Sequence, residues 1–177
     1  MKRMYLITGA NGHLGGTLIR ALRGKDCLVR GLLLPGEHAE DHANISYVHG
    51  DITRPETLEP LFEGINPVNT IVIHTAGIVD ISQDIYPLMY NVNVNGTKNM
   101  LSLCRACGVR RMVYVSSVHA IPEEEKMGVI TETEHFSPDK VVGGYAKTKA
   151  EATQAVLEAA AKAQDVVVVH PSGILGP

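Results

Sequence analysis

A short apolar run near the start of the chain leads directly into glycines spaced at three-residue intervals. The run from Met4 to Thr8 predicts a buried strand, and the segment from Leu14 to Leu22 has the spacing of a helix. Gly9, Gly12 and Gly15 mark the turn that joins them. Glycine permits a positive φ and lets the backbone approach a pyrophosphate, while the helix N-terminus offers free N–H groups to phosphates. This order of strand, turn and helix predicts a dinucleotide-binding site.

The rest of the chain alternates short apolar runs with longer amphipathic segments. Such alternation implies crossover connections, and therefore a parallel sheet with helices on both faces. The predicted fold class is α/β: a Rossmann-like doubly wound parallel sheet with strand order 3-2-1-4-5-6, in a three-layer α/β/α arrangement. Further strands are predicted at Cys27 to Leu34, Ile45 to His49, Thr70 to Thr75, Arg111 to Ser116 and Val166 to His170. Further helices are predicted at Pro55 to Phe62 with Thr53 as N-cap, at Tyr86 to Ala106 and at Gly144 to Lys162.

Length, charge and cysteine count narrow the classes of protein to consider. The 177 residues favour one domain spanning 1–177, and 45% apolar residues are typical of a globular chain. A formal net charge of -3 gives no basic surplus for binding nucleic acid. No apolar run approaches the ~20 residues that span a bilayer, and an odd count of three cysteines does not build a disulfide framework. We therefore expect a cytoplasmic protein with neither nucleic acid nor membrane as a partner.

The end of the second predicted strand leaves the choice between NAD and NADP open. An acidic residue at this point binds the ribose diol of NAD, whereas an arginine suits the 2′-phosphate of NADP. Leu34 occupies the position and fits neither rule. Glu37 lies slightly too far along the chain, and Arg30 lies within the predicted strand. The sequence thus predicts NAD or NADP as cofactor without a preference.

A tyrosine and a lysine one helical turn apart provide a candidate proton-transfer pair. Tyr145 and Lys149 open the predicted helix at Gly144 and share one of its faces. A nearby ammonium favours the phenolate, so such a tyrosine can exchange a proton with an alcohol or carbonyl oxygen near neutral pH. Ser116 and Ser117 end the fifth predicted strand, where ligands bind in open α/β sheets. Either feature alone is common, and their combination is far more specific.

Seven short motifs follow one another along the chain. They are Thr8-Gly9-x-x-Gly12-x-x-Gly15, Gly50-Asp51-Ile52, His74-Thr75-Ala76-Gly77, Asn93-Val94-Asn95-Gly96-Thr97, Ser116-Ser117, Tyr145-x-x-x-Lys149 and Pro171-Ser172-Gly173-Ile174-Leu175-Gly176-Pro177. In this order the motifs resemble those of the extended short-chain dehydrogenase/reductases, the epimerase/dehydratase superfamily. The resemblance covers nearly the whole chain, and it is strongest to members related to dihydroflavonol reductase and 3β-hydroxysteroid dehydrogenase.

The resemblance implies a role for each catalytic residue. Tyr145 would be the general acid/base, and Lys149 would hold the nicotinamide ribose and lower the pKa of Tyr145. Ser117 would hydrogen-bond the reacting oxygen, with Ser116 as the alternative if the register differs by one. Asn93 would support the site from the long helix.

The resemblance also implies a set of cofactor-binding residues. Asp51 would bind the adenine amine with Ile52 beside the ring, and Pro171 and Ile174 would approach the carboxamide. The full set is Gly9, Asn11, Gly12, His13, Leu14, Gly15, Asp51, Ile52, Thr75, Ala76, Gly77, Asn93, Val115, Tyr145, Lys149, Pro171 and Ile174.

Three functions are consistent with this reading. The first is an NAD(P)-dependent oxidoreductase that moves hydride between nicotinamide and a carbonyl or secondary alcohol of a small-molecule substrate. The second is an NAD-dependent sugar-nucleotide epimerase or dehydratase. The third is a non-catalytic dinucleotide-binding or sensing module. Members of the branch usually continue into a C-terminal substrate domain, which we expect to be absent here, and their long helices often form homodimers.

Other signals favour structure over chemistry. Cys104-x-x-Cys107 has redox-motif spacing but falls late in the predicted long helix, so it is interpreted as helix packing. The histidines show no metal-binding spacing, and no metal site is predicted. His74 at a strand end is expected to serve structure or the cofactor wall. The run from Glu123 to Lys126 is interpreted as a solvated loop.

Overall fold

A single parallel sheet organises the part of the chain that the structure, a computed structural model, describes: residues 2–122 and 132–175. Within these residues six strands lie in the order β3-β2-β1-β4-β5-β6, and every neighbouring pair is parallel. The predicted strand order and Rossmann-like class are therefore confirmed. The strands are β1 (Arg3–Thr8), β2 (Cys27–Leu33), β3 (Ile45–His49), β4 (Thr70–His74), β5 (Arg111–Val115) and β6 (Val166–Val169).

Alternate strand residues supply two cores, one on each face of the sheet. Leu6 and Leu32 point to a core shared with three helices, while Ile7 and Leu33 point to a core on the opposite face. The described helices are α1 (His13–Leu22), α2 (Glu59–Phe62), α3 (Pro87–Tyr90), α4 (Thr97–Ala106) and α5 (Gly144–Ala161). Helix α1 covers the second core, and α2, α4 and α5 cover the first. None of the described helices combines the length and apolar character needed to cross a bilayer.

The long helix predicted from Tyr86 to Ala106 is interrupted by a π-helical segment. Residues Asn91–Gly96 join α3 to α4 with wider hydrogen-bonded turns. Gly96 allows a close approach here, because a Cβ at this position would lie 2.6 Å from Ile52 Cδ1. Asn93 lies in the same segment and is buried beside the site described below.

The predicted helix Pro55 to Phe62 is also divided. A 3-10 turn, Pro55–Thr57, precedes α2, and Arg54 is the residue before that turn. The prediction of Thr53 as N-cap is wrong, because the Thr53 N–H and hydroxyl both donate to Asp51 Oδ1 at 2.8 Å.

Packing of the cysteine pair is confirmed. Cys104 lies in the first core, and Cys107 is partly buried against it. Burial raises the pKa of both thiols, which is unfavourable for a reactive pair. The run from Glu123 to Lys126 lies outside the described residues, as do Gly176 and Pro177.

Candidate functional site

A cavity of about 530 Å³ opens at the carboxyl ends of four strands. The segments that follow β1, β4, β5 and β6 line it, together with the start of α5. This is where ligands bind in open α/β sheets. Of the predicted site residues, those lining the cavity are Gly9, Gly12, His13, Leu14, Gly15, Thr75, Ala76, Gly77, Val115, Ser117, Tyr145, Lys149, Pro171 and Ile174.

Four predicted residues lie away from the cavity lining. Asn11 is exposed on the glycine-rich turn. Asp51 and Ile52 follow β3, where the Asp51 carboxylate holds Thr53 and the Ile52 side chain is part of the first core. Asn93 is buried behind the wall. Their roles in cofactor binding stay predictions.

The cavity also includes residues that sequence reasoning did not select. They are Val79, His119, Ser172 and Gly173. Ser116, the alternative to Ser117, also lines the cavity, but its hydroxyl is buried and bonded to Thr153 Oγ1 at 2.7 Å. His119 could have been found from its place two residues after Ser117. Its ring packs edge-on to the Tyr145 ring, with 6.5 Å between centroids.

The glycine-rich turn needs its glycines for backbone geometry. Gly9 has φ +67°, and the Gly12 N–H donates to the Gly9 carbonyl at 2.9 Å. A Cβ at Gly15 would lie only 2.1 Å from that same carbonyl oxygen. Helix α1 thus begins pressed against the end of β1, which fixes the direction of its first turn.

The first turn of α1 is suited to an anionic group. Gly12 is its N-cap and supplies no side-chain cap, and the turn contains no acidic residue. The first helical N–H groups have no acceptor within their own helix, and the helix dipole places positive charge there. Together with the glycines that leave the backbone open, this turn fits the pyrophosphate of a dinucleotide.

Tyr145 is positioned by the start of α5 and faces Ser117. The Gly144 N–H donates to Ser82 O at 3.1 Å, and a Cβ on Gly144 would lie 2.5 Å from Asp84 O. Ser117 Oγ accepts from the His119 N–H at 3.2 Å, which leaves its own proton for another partner. Burial raises the pKa of Tyr145, and its hydrogen bond with Ser117 lowers that pKa only in part.

Lys149 is buried, and its ammonium contacts two residues of β5. Its ammonium donates to Val115 O at 2.7 Å and lies 4.6 Å from the centroid of the Tyr114 ring. Burial lowers the pKa of Lys149 to about 7, so this group carries only part of its charge at neutral pH. The role of Lys149 in lowering the pKa of Tyr145 stays a prediction; burial raises that pKa, and the bond with Ser117 lowers it in part.

A buried hydrogen-bond chain underlies the cavity. His74 is neutral, because burial lowers its pKa to about 3. Thr97 Oγ1 donates to Asn93 O at 2.7 Å, so it accepts from His74 Nε2 at 3.1 Å. Thr8 Oγ1 must then donate to His74 Nδ1 at 2.7 Å, while it accepts from the Ala76 N–H at 3.2 Å. The chain connects the end of β1 to the π-helical segment, which gives His74 a structural role.

The Asn93 side chain connects that segment to two parts of the site. Its Oδ1 accepts from the Ile78 N–H at 2.8 Å, and its Nδ2 donates to Ile78 O at 2.9 Å. The same Nδ2 donates to Thr148 Oγ1 at 3.1 Å. Asn93 therefore fixes the loop after β4 and ties it to α5 beside Lys149.

The Tyr114 ring lies beneath the Lys149 ammonium, and substitutions of Tyr114 test whether this contact stabilises the chain. The Tyr114 hydroxyl is buried and has no hydrogen bond of good geometry within the described residues, although interaction with Thr97 lowers its pKa in part. Tyr114→Phe should therefore preserve the ring contact and raise the free energy of unfolding by about 1 kcal/mol. Tyr114→Leu removes the ring beneath the ammonium and should lower it by about 2 kcal/mol. Chemical denaturation measures the free energy of unfolding of both variants. Equal losses in the two would contradict a stabilising contact between the Tyr114 ring and the Lys149 ammonium.

Comparisons with known proteins agree with this arrangement. The sequence pattern of the 3-beta hydroxysteroid dehydrogenase/isomerase family matches residues 6–177. The chain is 32% identical over 174 residues to sterol demethylase protein B of Methylococcus capsulatus, covering 97% of this chain and 52% of that protein. It is 31% identical over 179 residues to a Synechocystis protein provisionally named dihydroflavonol 4-reductase, covering 100% and 51%.

Solved structures share the fold. A short-chain dehydrogenase/reductase superfamily protein of Agrobacterium tumefaciens with bound NAD has a TM-score of 0.71 and 25% identity, over 95% of this chain and 48% of that one. The Bordetella bronchiseptica enzyme WbmH in complex with NAD+ has a TM-score of 0.80 and 20% identity, over 100% and 58%. The chain spans about half the length of the curated relatives it matches.

Proposed function

Because this chain belongs to the 3-beta hydroxysteroid dehydrogenase/isomerase family, we propose that it binds NAD(P) and transfers hydride between the nicotinamide and a carbonyl or secondary alcohol. The observation that carries the proposal is the composition of one cavity. The uncapped first turn of α1 lies at one part of its lining, and Ser117, Tyr145 and Lys149 lie at another. A dinucleotide laid across it would have its phosphates at the helix and its reactive end near the tyrosine.

Each residue of the second group has a defined task in this proposal. Tyr145 is a neutral phenol near neutral pH, since its pKa is raised, and it can donate a proton to a carbonyl oxygen. Ser117 has a hydroxyl proton available to orient that oxygen, because its Oγ accepts from the His119 N–H. Lys149 stands one turn from Tyr145 and can hold ribose hydroxyls. The nicotinamide, when bound, supplies or accepts the hydride.

Removing the Tyr145 hydroxyl tests the proton-transfer role. Tyr145→Phe should lower kcat/KM by about 10²- to 10⁴-fold, the usual contribution of a positioned acid or base. Reduction of a panel of apolar ketones and aldehydes, followed by nicotinamide absorbance, measures it. The dissociation constant of NADH should stay within a few-fold of the unchanged chain. Tyr90→Phe is the matched control, because its hydroxyl bonds Glu151 at 2.7 Å outside the cavity lining.

The other candidate functions give different results in the same assays. Substrate interconversion with no net change in nicotinamide absorbance would indicate an epimerase or dehydratase. Nucleotide binding without turnover of any substrate would indicate a binding or sensing module. A folded chain that binds neither NADH nor NADPH would contradict the proposal itself.

A further inference from the structure

A turn at the end of β2 brings an acidic side chain to a position that its place in the sequence does not reveal. Leu34 directly follows β2, and Pro35 and Gly36 come next. Gly36 has φ +89°, and the Glu37 N–H donates to Leu34 O at 3.0 Å. Proline followed by a positive-φ glycine, closed by this hydrogen bond, is a type II β-turn.

The turn folds the Glu37 side chain back onto the end of the strand. Glu37 Oε2 accepts from the Leu34 N–H at 2.7 Å. The carboxylate therefore stands at the end of β2 itself, three residues earlier than its number suggests. Glu37 lies beyond the end of the strand along the chain, but the turn brings its carboxylate back to the strand end in space.

His49 holds the turn in place, and the basic residue of β2 bonds elsewhere. His49, at the end of β3, bonds to Glu37 O at 2.8 Å and braces the turn from the next strand. Arg30 is the basic residue within β2, but its guanidinium donates to Pro60 O, Leu61 O and Glu63 O at 2.7 to 3.1 Å. The Arg30 guanidinium therefore lies beside α2 and not at the end of β2.

We propose that Glu37 selects NAD over NADP. A carboxylate at the end of the second strand accepts hydrogen bonds from the ribose diol of NAD. The same charge repels a 2′-phosphate, for which Arg30 offers no compensating cation. This inference rests on the proposed function, because it names the form of the cofactor that the cavity takes.

Titration of the folded chain with NADH and with NADPH, followed by nicotinamide fluorescence, tests the proposal. We expect NADH to bind about 10- to 100-fold more tightly, the range that one charge-assisted hydrogen bond supplies. Glu37→Gln should weaken NADH and strengthen NADPH, so that the ratio of their dissociation constants falls at least about tenfold. Glu40→Gln removes the same charge from an exposed residue three positions later and should leave the ratio unchanged.

Each other outcome overturns the inference in a recognisable way. Equal or tighter binding of NADPH by the unchanged chain would overturn the assignment of Glu37 while leaving the proposed function in place. An equal change in the ratio of the two dissociation constants in Glu37→Gln and Glu40→Gln would also overturn the assignment of Glu37. Absence of binding of either nucleotide would overturn both the inference and the proposed function. Thermal unfolding of each variant shows whether the chain is folded. If Glu37→Gln unfolds, Glu37→Asp takes its place in the test. Its shorter side chain should keep only part of the preference for NADH over NADPH.

Discussion

Replacing Gly15 by alanine should lower the free energy of unfolding by at least about 1 to 3 kcal/mol and abolish saturable NADH binding. The added methyl would lie 2.1 Å from Gly9 O and 2.9 Å from Thr75 Oγ1. Because the first contact is with backbone, it cannot be relieved by a rotamer change. The first turn of α1 must move away from β1, and the N–H groups that face the pyrophosphate move with it. Denaturant titration and NADH fluorescence measure the two effects.

Gly16 supplies the matched control in the same helix. A Cβ there would lie 3.3 Å from Ala10 O and 3.4 Å from the Arg20 guanidinium, so it needs only small adjustments. Alanine also has the better helix propensity, by up to about 1 kcal/mol. Gly16→Ala should therefore be near neutral or stabilising and should keep its affinity for NADH. Equal losses in the two variants would show that the clash at Gly15 is not what makes this turn sensitive.

Lys149→Met should stabilise the chain by a few kcal/mol at pH 7 and abolish turnover. Burial lowers the pKa of Lys149 to about 7 in the folded chain, against an ordinary value of 10.5. Each unit of that difference corresponds to about 1.4 kcal/mol. The lost bond to Val115 O offsets about 1 kcal/mol of the gain. Methionine fills a similar volume without a charge to desolvate.

The pH dependence separates this explanation from a general packing effect. Between pH 7 and pH 10 the unfolded chain binds the proton that folded Lys149 releases, so the stability of the unchanged chain rises with pH in this window. Lys149→Met removes that contribution, and its advantage should shrink as the pH rises. Lys147→Met, at a half-buried lysine of the same helix, should keep the original pH dependence. Denaturation at pH 7 and pH 9 makes the comparison, and an advantage that stays constant across this range would contradict burial of the ammonium as the cause.

Features that depend on local order along the chain could be predicted from the sequence. Apolar runs separated by amphipathic segments determine a parallel sheet, and the predicted strand order is confirmed. The glycines at 9, 12 and 15 could be placed because strand, turn and helix are consecutive. The resemblance implied that Ser117 and Tyr145 act on the same reacting oxygen, and both line one cavity.

Features that depend on packing between distant segments could not be predicted. The π-helical segment packs its Gly96 against Ile52, 44 positions away along the chain, and no local pattern marks this contact. The direction of the Lys149 ammonium depends on Val115 and Tyr114 of β5. The position of the Glu37 carboxylate depends on the turn at Pro35 and Gly36, which brings it back to the Leu34 N–H.

The hydrogen bond between Thr8 and His74 has a consequence for how the protein folds. These partners are 66 residues apart, and β1, which carries Thr8, pairs along its length with β4. Contacts of such separation require a large loop to close first, and they slow folding. Until β4 has been synthesised, β1 and β2 can pair but one edge of β1 has no neighbour. The unpaired edge of β1 can associate with other chains during this time. Rapid pairing of β4 with β1 therefore protects the chain from aggregation.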